Sequence, residues 1–212
     1  QTTIPETAAN VAGGASEPYM LAWNSLASSL HFDGNQNIAG GEVVYVLGKN
    51  GQYKSSYRPA IDGFTITGGD SRDYPGNINE LKVSGAGLPT ARSAGIVEAQ
   101  GGGIFLNAYA DHFQITNNVV QSNAGVYGAG IRVGTPYVNA NLNHNHNVEI
   151  ANNRLIANGG TNLAGGIGMF IGSDNYRIHD NELCGNHSSE YGGGTTHFGL
   201  DPTGSIHHHK LH

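Results

Sequence analysis

A single cysteine, Cys184, stands among 212 residues, so no internal disulfide can form. One thiol neither proves nor excludes an oxidising compartment. Charge is scarce too: Asp, Glu, Lys and Arg together make up 12% of the chain, and only 10 residues are Lys or Arg. With a formal net charge of -6 and no basic cluster, nucleic acid is not an expected partner. No apolar run approaches the roughly 18 residues that span a bilayer, so no transmembrane helix is expected. The chain opens at Gln1 without an initiator Met or a signal peptide. It reads as a mature or excised segment. A helix-forming composition is missing as well, because 33 residues are Gly and Asn is abundant. Yet 38% of the chain is hydrophobic, and those residues recur in order, which argues against disorder. The length suffices for one domain with a real core.

What is present is a repeated phrase. "ITNNVVQSN", "IANNRLIAN" and "IHDNELCGN" begin at Ile115, Ile150 and Ile178. Ile150 to Ile178 is 28 residues, Ile178 to Ile206 is 28, and Ile115 to Ile150 is 35. A Gly-rich marker tracks the phrase, ending at Ile104, Ile131, Ile167 and Thr195. From its last Gly to the next phrase Ile is 12 residues in three cases and 20 in the fourth, so the extra length sits in the loop "TPYVNANLNHNHN". An earlier copy is visible in "GFTITGG", with Ile66 in the Ile115 place, followed by an insertion at about Asp70 to Gln100.

Within each copy apolar and polar residues alternate, as in Val148, Ile150 and Leu155. Short alternating runs between Gly and Asn turns predict strands. A unit of this size cannot bury its apolar face alone and must stack on its neighbours. The expected fold is all-β: a parallel β-helix, or solenoid, over 41–212, with equivalent strands about 4.8 Å apart. Outward columns then read Arg154, Glu182, Lys210 and Gln114, Glu149, Arg177, Ser205, which bring opposite charges together. Asn118, Asn153 and Asn181 form one amide column at a turn, and Asn123, Asn158 and Asn186 form another. His197 falls on the inward column of Leu106, Val133 and Met169, where a buried neutral imidazole is expected. Cys184 lies in a column with Gln121, Ile156 and His212 and reads as an inert thiol.

With "IDGFTITGGD", "GGGIFLNAYADHFQITNNVVQSN" and "YGAGIRV" in view, the chain resembles right-handed parallel β-helix proteins of the pectate-lyase-like superfold. It is most similar to the Gly- and Asn-rich repeats of bacterial surface and secreted proteins. The resemblance covers about residues 41–212. It implies a right-handed coil and a secreted or cell-surface location. That superfold carries lyases, hydrolases, adhesins and passive scaffolds, so the fold does not choose among them.

Residues 1–40 read as an N-terminal cap or extension. In "SEPYMLAWNSLASSL", Ser16 suits an N-cap, and Tyr19, Trp23, Leu26 and Leu30 fall on one helical stripe. At the other end "SIHHHKLH" keeps the register of a further coil and then stops, so the solenoid reads as truncated there. Either further coils of a longer parent protein or self-association would cover that end.

The resemblance places enzymatic residues in an outward patch across coils, as carboxylates holding calcium beside a basic residue, or as clustered Asp. Here Asp111, His146 and Asp174 occupy equivalent places, flanked by His112, His144 and Asn175, with Pro202 next in the column. Asp111, Asp174 and Arg132 are therefore the catalytic candidates for a polysaccharide lyase or glycoside hydrolase. A second reading is a transition-metal site on His144, His146 and His112, since an H-x-H pair in a strand points both rings to one side. A third is glycan binding without turnover. Tyr109, Tyr127, Tyr137, Tyr176 and Tyr191 lie near turns and would stack on sugar rings, with Asp111, His112 and Asp174 beside them. The last of these is the reading adopted: a structural or adhesive module with polysaccharide as its partner.

Overall fold

A computed structural model of the chain describes residues 42–48, 51–69, 102–134, 144–162, 164–170, 173–188, 191–197, 204–207 and 210–211. Among them there are strands and turns and no helix. The expected helix within 1–40, the insertion after Ile66, and Tyr137, Pro202 and His212 lie outside the described residues.

The strands among the described residues fall into five successive coils. The first holds β1 (Val44–Leu47), β2 (Ala60–Asp62) and β3 (Thr65–Ile66). The second holds β4 (Ile104–Ala108), β5 (Gln114–Thr116), β6 (Val119–Gln121) and β7 (Ala124–Tyr127). In the third are β8 (Ile131–Val133), β9 (Glu149–Ala151), β10 (Arg154–Ile156) and β11 (Gly159–Asn162). The fourth has β12 (Ile167–Met169), β13 (Tyr176–His179), β14 (Glu182–Cys184) and β15 (His187–Ser188). The last has β16 (Thr195–His197), β17 (Gly204–His207) and β18 (Lys210–Leu211). Each strand pairs in parallel with its counterparts in the neighbouring coils, giving sheets ordered β1-β4-β8-β12-β16, β2-β5-β9-β13-β17, β3-β6-β10-β14-β18 and β7-β11-β15. Stacked parallel sheets of this kind are consistent with a parallel β-solenoid.

The repeat sets the register. Ile115 pairs with Ile150, Ile150 with Ile178, and Ile178 with Ile206. The first three are fully buried and share one core with Ile104, Val120, Ile131, Leu155, Ile167 and Leu183. One expectation shifts. Ile61, not Ile66, stands opposite Ile115, and Ile66 stands opposite Val120. The earliest copy of the phrase therefore runs from Ile61 to Gly69. Its Asn places are taken by Phe64 and Gly69, whose backbone N–H groups donate to Asn118 Oδ1 and Asn123 Oδ1.

The paired asparagines divide two tasks. Asn117 and Asn152 turn the corner in the left-handed region, at φ 57° each, as Asp180 does at 54°. Asn and Asp tolerate that conformation better than other side chains do. The next residue in each copy is the buried ladder amide. Asn118 donates from its side chain and its backbone to Asn153 Oδ1, and Asn153 does the same to Asn181 Oδ1. Asn123, Asn158 and Asn186 repeat the pattern at the following corner. The last Gly of each marker has a different cause. A Cβ on Gly103, Gly130 or Gly166 would stand 2.3 to 2.6 Å from the carbonyl oxygen of the equivalent Gly one coil on.

Candidate functional site

The turn from the first sheet to the second carries the candidate column. His112 N–H donates to His146 O and Asn147 N–H to Asp174 O, both at 2.8 Å, so Asp111, His146 and Asp174 do stand one above another. His112, Asn147 and Asn175 turn this corner in the left-handed region. The side chains of the column are spent on one another. Asp111 Oδ1 accepts the His146 backbone N–H at 2.6 Å and lies 2.9 Å from His144 Nδ1, which donates to it. His146 Nδ1 lies 3.3 Å from the Asp174 backbone N and 3.6 Å from its Oδ2. Tyr109 sets its ring edge-on to His144, 5.1 Å away. Asn145, which stands between the two histidines in sequence, is fully buried. It accepts the Ala110 N–H and donates to Asn107 O.

The H-x-H pair sits in a turn and not in a strand. Its rings do lie on one side, stacked at 4.7 Å with an interplanar angle of 1°. A metal ion binds in the plane of an imidazole, along the nitrogen lone pair, and two stacked parallel planes share no point. In this arrangement His144 and His146 do not converge on one ion. Among the described residues no three of His, Cys, Asp and Glu are placed to hold a metal.

Arg132 is not on the exposed flank. It is fully buried, with its guanidinium 4.5 Å from the Phe105 ring and 4.9 Å from the Phe170 ring. Its Nε donates to Gly134 O at 2.7 Å. A guanidinium held between two rings is a packing element here, not a base facing a substrate. Gly168 leaves room for this layer, since a Cβ there would meet the Phe170 ring at 2.8 Å.

The tyrosines divide as well. Tyr109 and Tyr176 are buried, which corrects their assignment to a sugar-stacking flank. Tyr176 joins the core and lies 2.7 Å from His197 Nδ1 through its hydroxyl. Burial raises the Tyr176 phenol, and it pushes the His197 imidazole down against the opposing pull of Asp174. Among the described residues, the large aromatic rings that do face solvent are Tyr57, Phe64 and Tyr191, at 62%, 61% and 53% exposure.

A second polar cluster centres on Glu149. Arg58 Nη2 donates to its Oε2 at 2.8 Å and Gln114 Nε2 to the same oxygen at 3.0 Å, while His179 Nε2 lies 3.1 Å from Oε1. Arg177 stands 3.8 Å away. His179 Nδ1 reaches Asp180 at 2.8 Å, so both ring nitrogens face carboxylates. Burial opposes ionisation of Glu149, yet the bonds from Arg58, His179 and Gln114 hold its carboxyl down to about 2. The bond to Asp180 raises His179, against burial and together with Glu149. The column Gln114, Glu149, Arg177 was legible in the repeat. The reach of Arg58, 91 residues away, and of His179 was not.

No family model, curated protein or solved structure matches the chain.

Proposed function

We propose that the chain is a right-handed parallel β-helix module of pectate-lyase-like kind, carried by a secreted or cell-surface protein. Its role is structural and adhesive, with glycan contact along the exposed flank. One observation carries this reading: the carboxylate best placed for chemistry, Asp111, is buried and already holds the next coil through His146 N–H and His144. A general acid or base must reach a substrate proton. The exposed rings of Tyr57, Phe64 and Tyr191 offer apolar faces to sugars without any reacting group. Polysaccharide is thus the ligand class.

A lyase or hydrolase is the competing reading, and His146 and Asp174 favour it, being 35% and 38% exposed at 3.6 Å. Incubation with acidic polysaccharides, with and without calcium, separates the two. Binding without new unsaturated or reducing ends is expected, together with loss of binding on Tyr57→Ala, Phe64→Ala and Tyr191→Ala combined. Product release that disappears in Asp174→Asn would overturn the proposal.

A further inference from the structure

Six asparagines build the two amide ladders, and only one of them precedes a glycine. Val119, Ala124, Arg154, Glu182 and His187 follow Asn118, Asn123, Asn153, Asn181 and Asn186, while Gly159 follows Asn158. An Asn-Gly pair is chemically the weakest of these. The backbone nitrogen of the glycine, unhindered by a side chain, can attack the Asn side-chain carbonyl carbon. A C–N bond forms to close a succinimide, and the bond to the amide nitrogen breaks. Ammonia leaves with the proton taken from the attacking nitrogen. Water then opens the ring to aspartate or isoaspartate.

The fold blocks each atom that step needs. Asn158 is fully buried, and its carboxamide makes all four of its hydrogen bonds. Oδ1 accepts from Asn123 N and Nδ2 at 3.2 and 3.0 Å, while Nδ2 donates to Val120 O and Asn186 Oδ1 at 2.9 Å each. The would-be nucleophile, Gly159 N, donates its hydrogen to Asn123 O at 2.9 Å. Turning Cγ toward Gly159 N would break the ladder on both sides. We propose that Asn158–Gly159 is a latent deamidation site, inert in the folded ladder and reactive only when its coil opens.

The product could not return to its place. A carboxylate at 158 would turn an oxygen toward Val120 O and Asn186 Oδ1, where the amide had donated, and would carry a buried charge without a cationic partner in the ladder. Isoaspartate would also lengthen the backbone by one carbon where β11 begins. Each opening event thus risks a covalent change that prevents the coil from closing again.

Peptide mapping by mass spectrometry tests this on the whole chain, aged at mildly alkaline pH with and without urea. In urea Asn158 should deamidate alongside Asn50, the other Asn followed by Gly. In buffer Asn158 should react slower by on the order of a thousandfold or more, in proportion to the open population. Gly159→Ala should suppress the urea reaction while leaving the fold intact, since a Cβ there meets nothing within 4 Å. Asn158→Asp, made directly, should melt well below the unmodified chain or fail to fold. Equal Asn158 rates in buffer and urea would overturn the proposal, as would an Asn158→Asp chain that melts with the original.

Discussion

Replacing Glu149 by Gln removes one charge from the centre of the Arg58–Gln114–His179 cluster and leaves its shape nearly unchanged. A carboxyl drawn from 4.5 down to about 2 corresponds to about 3 kcal/mol at about 1.4 kcal/mol for each pKa unit. Solvent screening reduces this, because the partners Arg58 and Arg177 are 37% and 61% exposed. About 1–2 kcal/mol is expected to remain. The folded carboxyl is the stronger acid, so its stabilisation is full above the unfolded value of 4.5 and is lost as pH falls toward 2. His179 behaves oppositely: its folded pKa is raised, so its contribution is full below 6.5 and is lost as pH rises through the folded value. The cluster is therefore strongest between about pH 4.5 and 6.5. Urea unfolding of the original chain and Glu149→Gln near pH 3, 5.5 and 8.5 reads the difference directly. The penalty should peak at the middle value. A penalty equal at all three, or a more stable variant, would refute the electrostatic account and leave only packing.

Ile150→Asp should abolish cooperative unfolding by calorimetry, since it places a charge in the fully buried ladder at a cost of several kcal/mol. Ala157→Gly should raise stability by about 0.5–1 kcal/mol in the same urea assay, because Ala157 holds φ 51° where the next coil has Gly185. His197→Met, which continues the column of Val133 and Met169, should flatten the loss of stability on acidification. The His197 imidazole is pushed down, so its folded form resists charging as pH falls below 6.5. Parallel pH–melting curves for the two chains would contradict this. Gln114→Asp should destabilise by about 1 kcal/mol, because it replaces a donor to Glu149 with a like charge; an unchanged urea midpoint would show that the Gln114 bond carries nothing.

The phrase alone determined the coil. Apolar residues returning at 28 and 35 residues can all be buried only if successive copies stack in parallel, and that stacking dictated Ile115, Ile150 and Ile178 as one ladder, with Asn118, Asn153 and Asn181 as another. It likewise gave the pairing of Arg154 with Glu182, which meet at 2.8 Å. The first copy starts five residues before the place its sequence suggests, at Ile61 and not Ile66. "GFTITGG" lacks the asparagines that mark the register, and only the pairing of Ile61 with Ile115 restores it. Which polar residues face solvent was a matter for the tertiary structure. Alternation says that Arg132 points away from the core; it does not say that Phe105 and Phe170 close over it. It places Gln114 outward and is silent about Arg58 arriving from the first coil to join it at Glu149. Tyr109 and Tyr176 lie beside turns in the sequence, yet both are buried, Tyr176 in the core and Tyr109 against His144. A repeat specifies neighbours along a column because the spacing is written in the chain. Contacts between columns depend on side-chain direction and on loops of irregular length, and no period encodes those.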